Sequence, residues 1–384
     1  MSSARRFTAV VAAIVVLLVL VDILGSREKQ SDAEITAPAP TTSEFQPTTA
    51  SPAPIDELPE EEIRSALTDV CSTDTQETVD REWAQEEVQA QIDTFNELKL
   101  SLSERLSAST SAEHLHLAAL LENDPALRIE LLDRAISGNR DDAFLLWGAV
   151  QICSEIDEPT TCQLRDWERR LIAVDGQNSE SWVRIAANRY AAGEYDKALE
   201  AMRYASTAAE SRAYWTEAIE MIERGLAAGS DYAFPDRAGM AVGVAAAKLP
   251  RYGDYVTMCK EQSAKNVDWA YACMAYGELV ENQGKTEMGV AIARSIQKQA
   301  LEALGELEKA AEVEQRLQAR RKERMDSIGD YNAMTERLIF SNPTFFYSYL
   351  AAVRSKGELE ARLYLAEEIE RILAQQPELA CESI

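Results

Sequence analysis

Histidine is nearly absent from this 384-residue chain, which has two, His114 and His116. On a helix, residues two apart point about 200° apart, so the pair cannot share one metal, and surface or half-buried imidazoles are expected. CxxC and HxxxH spacings are lacking, which argues against zinc, and no GxSxG marks a serine nucleophile. Glycine at 16 and proline at 12 are too few for an all-β protein. Basic residues are in deficit, with Lys+Arg 39 against Asp+Glu 65 and a net charge of -26. The phosphate neutralisation behind nucleic-acid binding is therefore missing, and an anionic membrane surface would repel most of the chain.

Long apolar runs are lacking too, except at the start. Residues 7 to 21, FTAVVAAIVVLLVLV, follow Arg5 and Arg6. Such a run suits either a membrane anchor or a cleavable secretory signal. The small residues a cleavage site needs, Ser31 and Ala33, lie too far along, so an uncleaved anchor spanning 1–25 is the expectation. The arginines hold the N-terminus in the cytoplasm and send the rest across. A single-pass protein of the bacterial inner membrane, its C-terminal domain in the periplasm, follows. Residues 26–62 are rich in Pro, Thr, Ser, Ala and acids, and read as an extended linker. Its reach is on the order of 100 Å.

Six cysteines remain for an oxidising compartment: Cys71, Cys153, Cys162, Cys259, Cys273 and Cys381. Cys153 with Cys162, and Cys259 with Cys273, flank turns and would each staple one helical hairpin; Cys71 with Cys381 would close a long loop. Buried free thiols are the alternative for each pair.

After residue 80 apolar residues recur at three and four, the helical period. Helices are expected at 80–106, 112–122, 126–137, 141–154, 162–174, 179–192, 195–208 and 211–227. A second set follows at 232–247, 252–263, 267–282, 286–302, 306–326, 330–340, 343–355 and 358–375. Short breaks between elements of this length suit stacked helical hairpins. The segment GLAAGSDYAFP, residues 225–235, divides the chain into regions 63–228 and 229–384, as a domain boundary or as a long turn.

Within residues 181–205, Trp182, Ile185, Ala186, Tyr190, Gly193, Tyr195, Ala198 and Ala205 stand at spacings that resemble the tetratricopeptide repeat. Small Ala186 and Ala198 suit a close helix crossing, and Gly193 suits the turn. GELEKAAE at 305–312 echoes GEYDKALE at 193–200, and residues 133–147 resemble 170–182 in form. The repeats are degenerate, with a period longer than the ideal of about 34 residues. The resemblance implies an all-α helical-hairpin solenoid behind the anchor and linker.

Such solenoids bind peptides in their concave groove, and one subclass clamps a C-terminal carboxylate with Lys and Asn. Here the equivalent positions hold Val183 and Ala187, so that clamp does not carry over. Arg184 and Asn188 are candidate groove residues, with a solvated face as the alternative. Arg316, Arg320 and Arg324 form a like-charged row that needs an acidic surface nearby, either the chain's own or a partner's. The stretch 341–353, SNPTFFYSYLAAV, opens with a capping residue before Pro343 and packs its aromatics in the core or in a peptide groove. Residues 284–286, GKT, end like a phosphate loop, but the interval from Gly277 is too long, and they read as a helix break.

No catalytic, cofactor or metal residues are assigned. The expectation is a non-catalytic scaffold or assembly factor that binds a protein or peptide. Its rival is an exported enzyme, for example on cell-wall glycan, which a deep cleft with converging carboxylates would favour. An architectural spacer acting through oligomerisation is a third reading.

Overall fold

The computed structural model of the chain describes residues 58–72, 98–155, 165–248, 251–327 and 332–375. Among these residues there are seventeen helices and no strand, packed largely in neighbouring pairs. They are α1 (Glu60–Ser72), α2 (98–107), α3 (Ala112–Leu121), α4 (Pro125–Gly138), α5 (Ala143–Ser154) and α6 (Trp167–Asp175). Next come α7 (Ser179–Ala191), α8 (Tyr195–Ser206), α9 (Trp215–Gly229), α10 (Phe234–Lys248), α11 (Tyr252–Ser263) and α12 (Val267–Gln283). The last are α13 (Glu287–Ala303), α14 (Leu307–Ser327), α15 (Asn332–Ser341), α16 (Pro343–Lys356) and α17 (Glu358–Gln375).

Short polar side chains start many of these helices by satisfying orphan N–H groups. Asp124 accepts from the N–H groups of Ala126 and Leu127, with Pro125 opening α4, and Asp142 accepts from Leu145. Asn178, Asn266, Thr286 and Asn342 do the same for α7, α12, α13 and α16. The GKT stretch is thus the break between α12 and α13. Phe345, Phe346 and Leu350 of α16 are buried, which places that aromatic stretch in the core.

One helix has no counterpart among those expected. Glu60, Glu61 and Glu62, counted with the linker above, form the first turn of α1, where carboxylates favour the helix dipole. Ile63, Ala66 and Leu67 then bury against the rest of the core, and α1 packs on α15. No described helix is long and apolar enough to cross a membrane. The apolar run 7–21 and the linker to residue 57 lie outside the described residues, as do residues 80–97 of the first expected helix.

The two echoing octapeptides have the same backbone. Gly193 and Gly305 both take positive φ, 76° and 77°, the left-handed turn that ends α7 and α13. The following N–H reaches back five residues in each: Glu194 to Arg189 O at 2.9 Å, Glu306 to Leu301 O at 2.9 Å. Ala198 and Ala310 bury at matching positions, and Lys197–Glu194 and Lys309–Glu306 pair alike.

Packing departs from a simple linear stack. Pairs α3–α4, α5–α6 and α7–α8 follow one another, but α7 and α8 continue onto α11 and α12, and then α13 and α14. The hairpin α9–α10 leaves the row: α9 packs back on α3 and forward on α16, and α10 packs on α15. Gly225 and Gly229 make that return feasible. A Cβ at either would stand 2.1 Å from a side-chain carbon of Leu117 or Leu102, so α9 lies closer to α2 and α3 than a larger residue permits. The main hydrophobic core runs from Ile63 to Leu373, crossing residue 228 without a break.

Cys259 and Cys273 form the expected disulfide, 14 residues apart, joining α11 to α12. Cys153 is also disulfide-bonded. Cys71 belongs to α1, whereas Cys162 and Cys381 lie outside the described residues.

Two outcomes follow. Gly193→Ala and Gly305→Ala meet no neighbour but force an L-residue into positive φ, so each is expected to cost about 1 kcal/mol in urea unfolding. His116, buried against Phe144, has its pKa lowered by burial from 6.5 to about 4. The unfolded chain therefore binds the extra proton first, and stability falls by about 3 kcal/mol as pH drops from 6.5 to 4. In His116→Leu that component of the pH slope should vanish; an unchanged slope would show that other groups carry it.

Candidate functional site

Between α8 and α9 the chain runs extended along the α6–α7 turn. The N–H groups of Ala209 and Glu210 both donate to Gln177 O at 3.0 Å, and Ser179 N donates to Glu210 O at 2.8 Å. Asn178, wholly buried, clamps this strap: its amide donates to Arg212 O at 2.9 Å and to Asp175 at 2.9 Å, while its Oδ1 accepts from Arg212 N at 2.9 Å. The strap then turns through Tyr214, whose φ of 52° is left-handed, into α9.

A cavity of about 740 Å³ opens where the strap, the α12–α13 break and α16 meet. Its lining includes Glu180, Glu210, Ser211, Arg212, Tyr214, Trp215, Glu217, Tyr252, Lys285, Thr286 and Arg354. A neighbouring hollow of about 350 Å³ is lined by Glu113, Asp142, Phe144, Glu220 and Arg224. The two share Arg212 and Glu217, an ion pair at 3.2 Å, as a common wall.

Glu180 is the innermost acid, 2% exposed. Its Oε1 accepts from the Tyr276 hydroxyl at 2.9 Å and, more weakly, from Ser211 Oγ at 3.5 Å; its Oε2 has no hydrogen-bond partner. Burial raises its pKa, against the lowering effects of the Tyr276 hydrogen bond, the Arg184 charge and Ser211. The same burial pushes the Tyr276 hydroxyl well up. One helical turn on, Arg184 is wholly buried, and none of its three nitrogens finds an acceptor. Its guanidinium lies 5.5 Å from the Trp147 ring centre and 5.1 Å from that of Tyr255. Cation–π attraction of roughly 2 kcal/mol for a desolvated pair partly offsets its lost hydration.

Arg184 was a groove candidate in the sequence, and the structure sets it inside the core on neither a groove nor a solvated face. Asn188 is half-buried and donates to Val150 O at 3.1 Å, tying α7 to α5. Arg316 reaches Glu281 at 2.8 and 3.1 Å, and Arg320 reaches Glu287 at 2.9 Å, so the chain itself supplies the acidic surface for these two. Arg324 is one turn further along α14. The structure brings none of Arg184, Asn188, Arg316 and Arg320 into the cavity. The acids and strap residues that do line it had no sequence signal, because they meet only through tertiary packing. The one readable hint was the GKT stretch, which lines the cavity without a free helix N-terminus. Glu358 accepts from Glu287 N at 3.0 Å there, and Lys285 donates to Ser355 O at 3.0 Å.

No group of three or more His, Cys, Asp or Glu residues placed to hold a metal occurs among the described residues.

A double-mutant cycle tests the buried pair. Arg184→Met is expected to cost about 3 kcal/mol at neutral pH, since it strips Glu180 of its compensating charge, and Glu180→Gln with Arg184→Met should restore most of the loss. Additive losses in thermal or urea unfolding would show that the two charges do not sense each other.

Set against family models, curated proteins and solved structures, the chain matches none of them.

Proposed function

We propose that this protein is a tetratricopeptide-like scaffold or assembly factor that binds a peptide segment of a protein partner along the two adjoining cavities. The observation that carries the reading is the cavity of about 740 Å³, walled by three separate parts of the chain and continued past the Arg212–Glu217 pair. Its lining mixes aromatic faces with hydroxyls, amides and charges of both signs, which suits a peptide's backbone and side chains together. On this reading the apolar run 7–21 anchors the chain and the segment before Pro59 tethers it, raising the local concentration of the site around membrane-bound partners. The folded part then lies in the periplasm, where its disulfide is stable.

A second reading, an exported enzyme acting on cell-wall glycan, draws on the raised pKa of Glu180 within a cavity, as a general acid requires. Against it, Glu217 is held by Arg212, and Glu210 is exposed on the strap.

Photo-crosslinking separates the readings. Benzoylphenylalanine placed at Glu210 and at Asn282, both at exposed positions of the lining, is expected to capture one defined partner in intact cells. The same probe at Glu308, exposed on α14, should capture none. No adduct from either lining position, or equal labelling from Glu308, would defeat the scaffold reading; glycan turnover abolished by Glu180→Gln would establish the second.

A further inference from the structure

The charges around the cavity are unequally engaged. Each basic group lining it has a partner within the fold: Arg212 pairs with Glu217 at 3.2 Å and lies 4.4 Å from the centre of the Tyr214 ring, Arg354 pairs with Glu220 at 2.5 Å, and Lys285 donates to Ser355 O at 3.0 Å. The acids are not all so engaged. Glu180 keeps Oε2 without a hydrogen-bond partner although the residue is 2% exposed, and only the backbone of Glu210 is tied down. The capacity left over is that of carboxyl oxygens, Oε2 of Glu180 and the side chain of Glu210.

A buried carboxylate oxygen without a donor is expensive, and a ligand that supplies a charged donor there recovers more than a neutral one does. The other oxygen is already oriented by Tyr276, so the carboxyl is held in position before any ligand arrives. Arg184 packs against Trp147 and Tyr255 and does not line the cavity. Burial raises the pKa of Glu180, and the Arg184 charge works against that rise without occupying Oε2. The half-buried side chains of Trp215 and Tyr252 line the same space and suit the apolar stem of a long side chain. The net charge of -26 would draw a basic segment from a distance.

We propose that the cavity accepts a lysine or arginine side chain of the bound peptide, with the Glu180 carboxylate as its anchor and Glu210 at the mouth. The inference rests on the peptide-binding reading above. Short fluorescein-labelled peptides in a Gly/Ser background, with one central Lys, Arg, norleucine, acetyl-lysine or Glu, would be titrated with the full-length chain in mild detergent by fluorescence anisotropy. Lys and Arg peptides are expected to bind at least about tenfold tighter than the others, a difference that 0.5 M salt narrows. Glu180→Gln should erase the preference, and Glu210→Gln should reduce it about threefold. The acetyl-lysine comparison needs no variant, so the proposal stays open to refutation if Glu180→Gln fails to fold. Equal binding of charged and neutral peptides, or a preference that survives in folded Glu180→Gln, overturns the proposal and leaves peptide binding standing. Binding of no peptide, joined with no crosslink at Glu210 or Asn282, overturns both.

Discussion

The Asn178 side chain is the contact on which the arrangement turns. It caps α7 through Glu180 N at 3.1 Å, and holds both the N–H and the C=O of Arg212. A buried amide left unsatisfied costs about 1–3 kcal/mol per group, so the strap is fixed against the α6–α7 turn rather than free to pack elsewhere. From there the chain reaches Tyr214 in a left-handed conformation and starts α9 on a course away from the α7–α8 pair. The next hairpin to stack on α7–α8 is therefore α11–α12, and the space left at the junction becomes the cavity.

The departure of α9 is secured by charge as well as by shape. Glu220 and Glu223, both buried on α9, reach the helices that arrive later in the chain. Glu220 takes Arg354 of α16 at 2.5 Å as well as Arg224 at 2.6 Å; Glu223 takes Arg237 of α10 at 2.9 Å and the Tyr347 hydroxyl of α16. Buried ion pairs of this kind add little net stability, because desolvation consumes most of the attraction, but breaking one is costly. Their consequence is registry: α16 cannot slide along α9 without stranding a carboxylate. Arg354, held this way, becomes part of the cavity wall, so the contact that fixes the C-terminal helices also shapes the site.

Glu180 and Arg184 pose a different energetic problem. They lie one turn apart on α7, Glu180 in its first turn, with no hydrogen bond between them, and the arginine relies on two aromatic faces and a nearby carboxyl group. Apolar residues at both positions would fill the space at lower desolvation cost, as ion pairs buried without full hydrogen bonding are seldom stabilising. What the pair provides is a carboxyl oxygen without a donor, on a buried residue that lines the cavity.

Much of the local structure was legible in the residues themselves. Polar caps such as Asp124, Asn266 and Asn342 and the apolar period set helix limits that the structure reproduces within a few residues, because those signals are local. The Gly193 and Gly305 turns were equally readable, since only glycine takes that φ without strain. The α1 helix was not, because its three leading glutamates look like the linker and its apolar residues become significant only against α15. GLAAGS read as a domain boundary or a long turn, and the close approach of Gly225 and Gly229 of α9 to Leu117 and Leu102 had no local signal. Arg184 read as surface, since a helical period assigns a face but not what lies opposite. Sequence by itself determined the helices, their turns and one disulfide staple, all set by interactions along short stretches of chain. The path of α9, the burial of Arg184 and the cavity at Glu180 were decided only by tertiary structure, because each depends on surfaces brought together from distant parts of the chain.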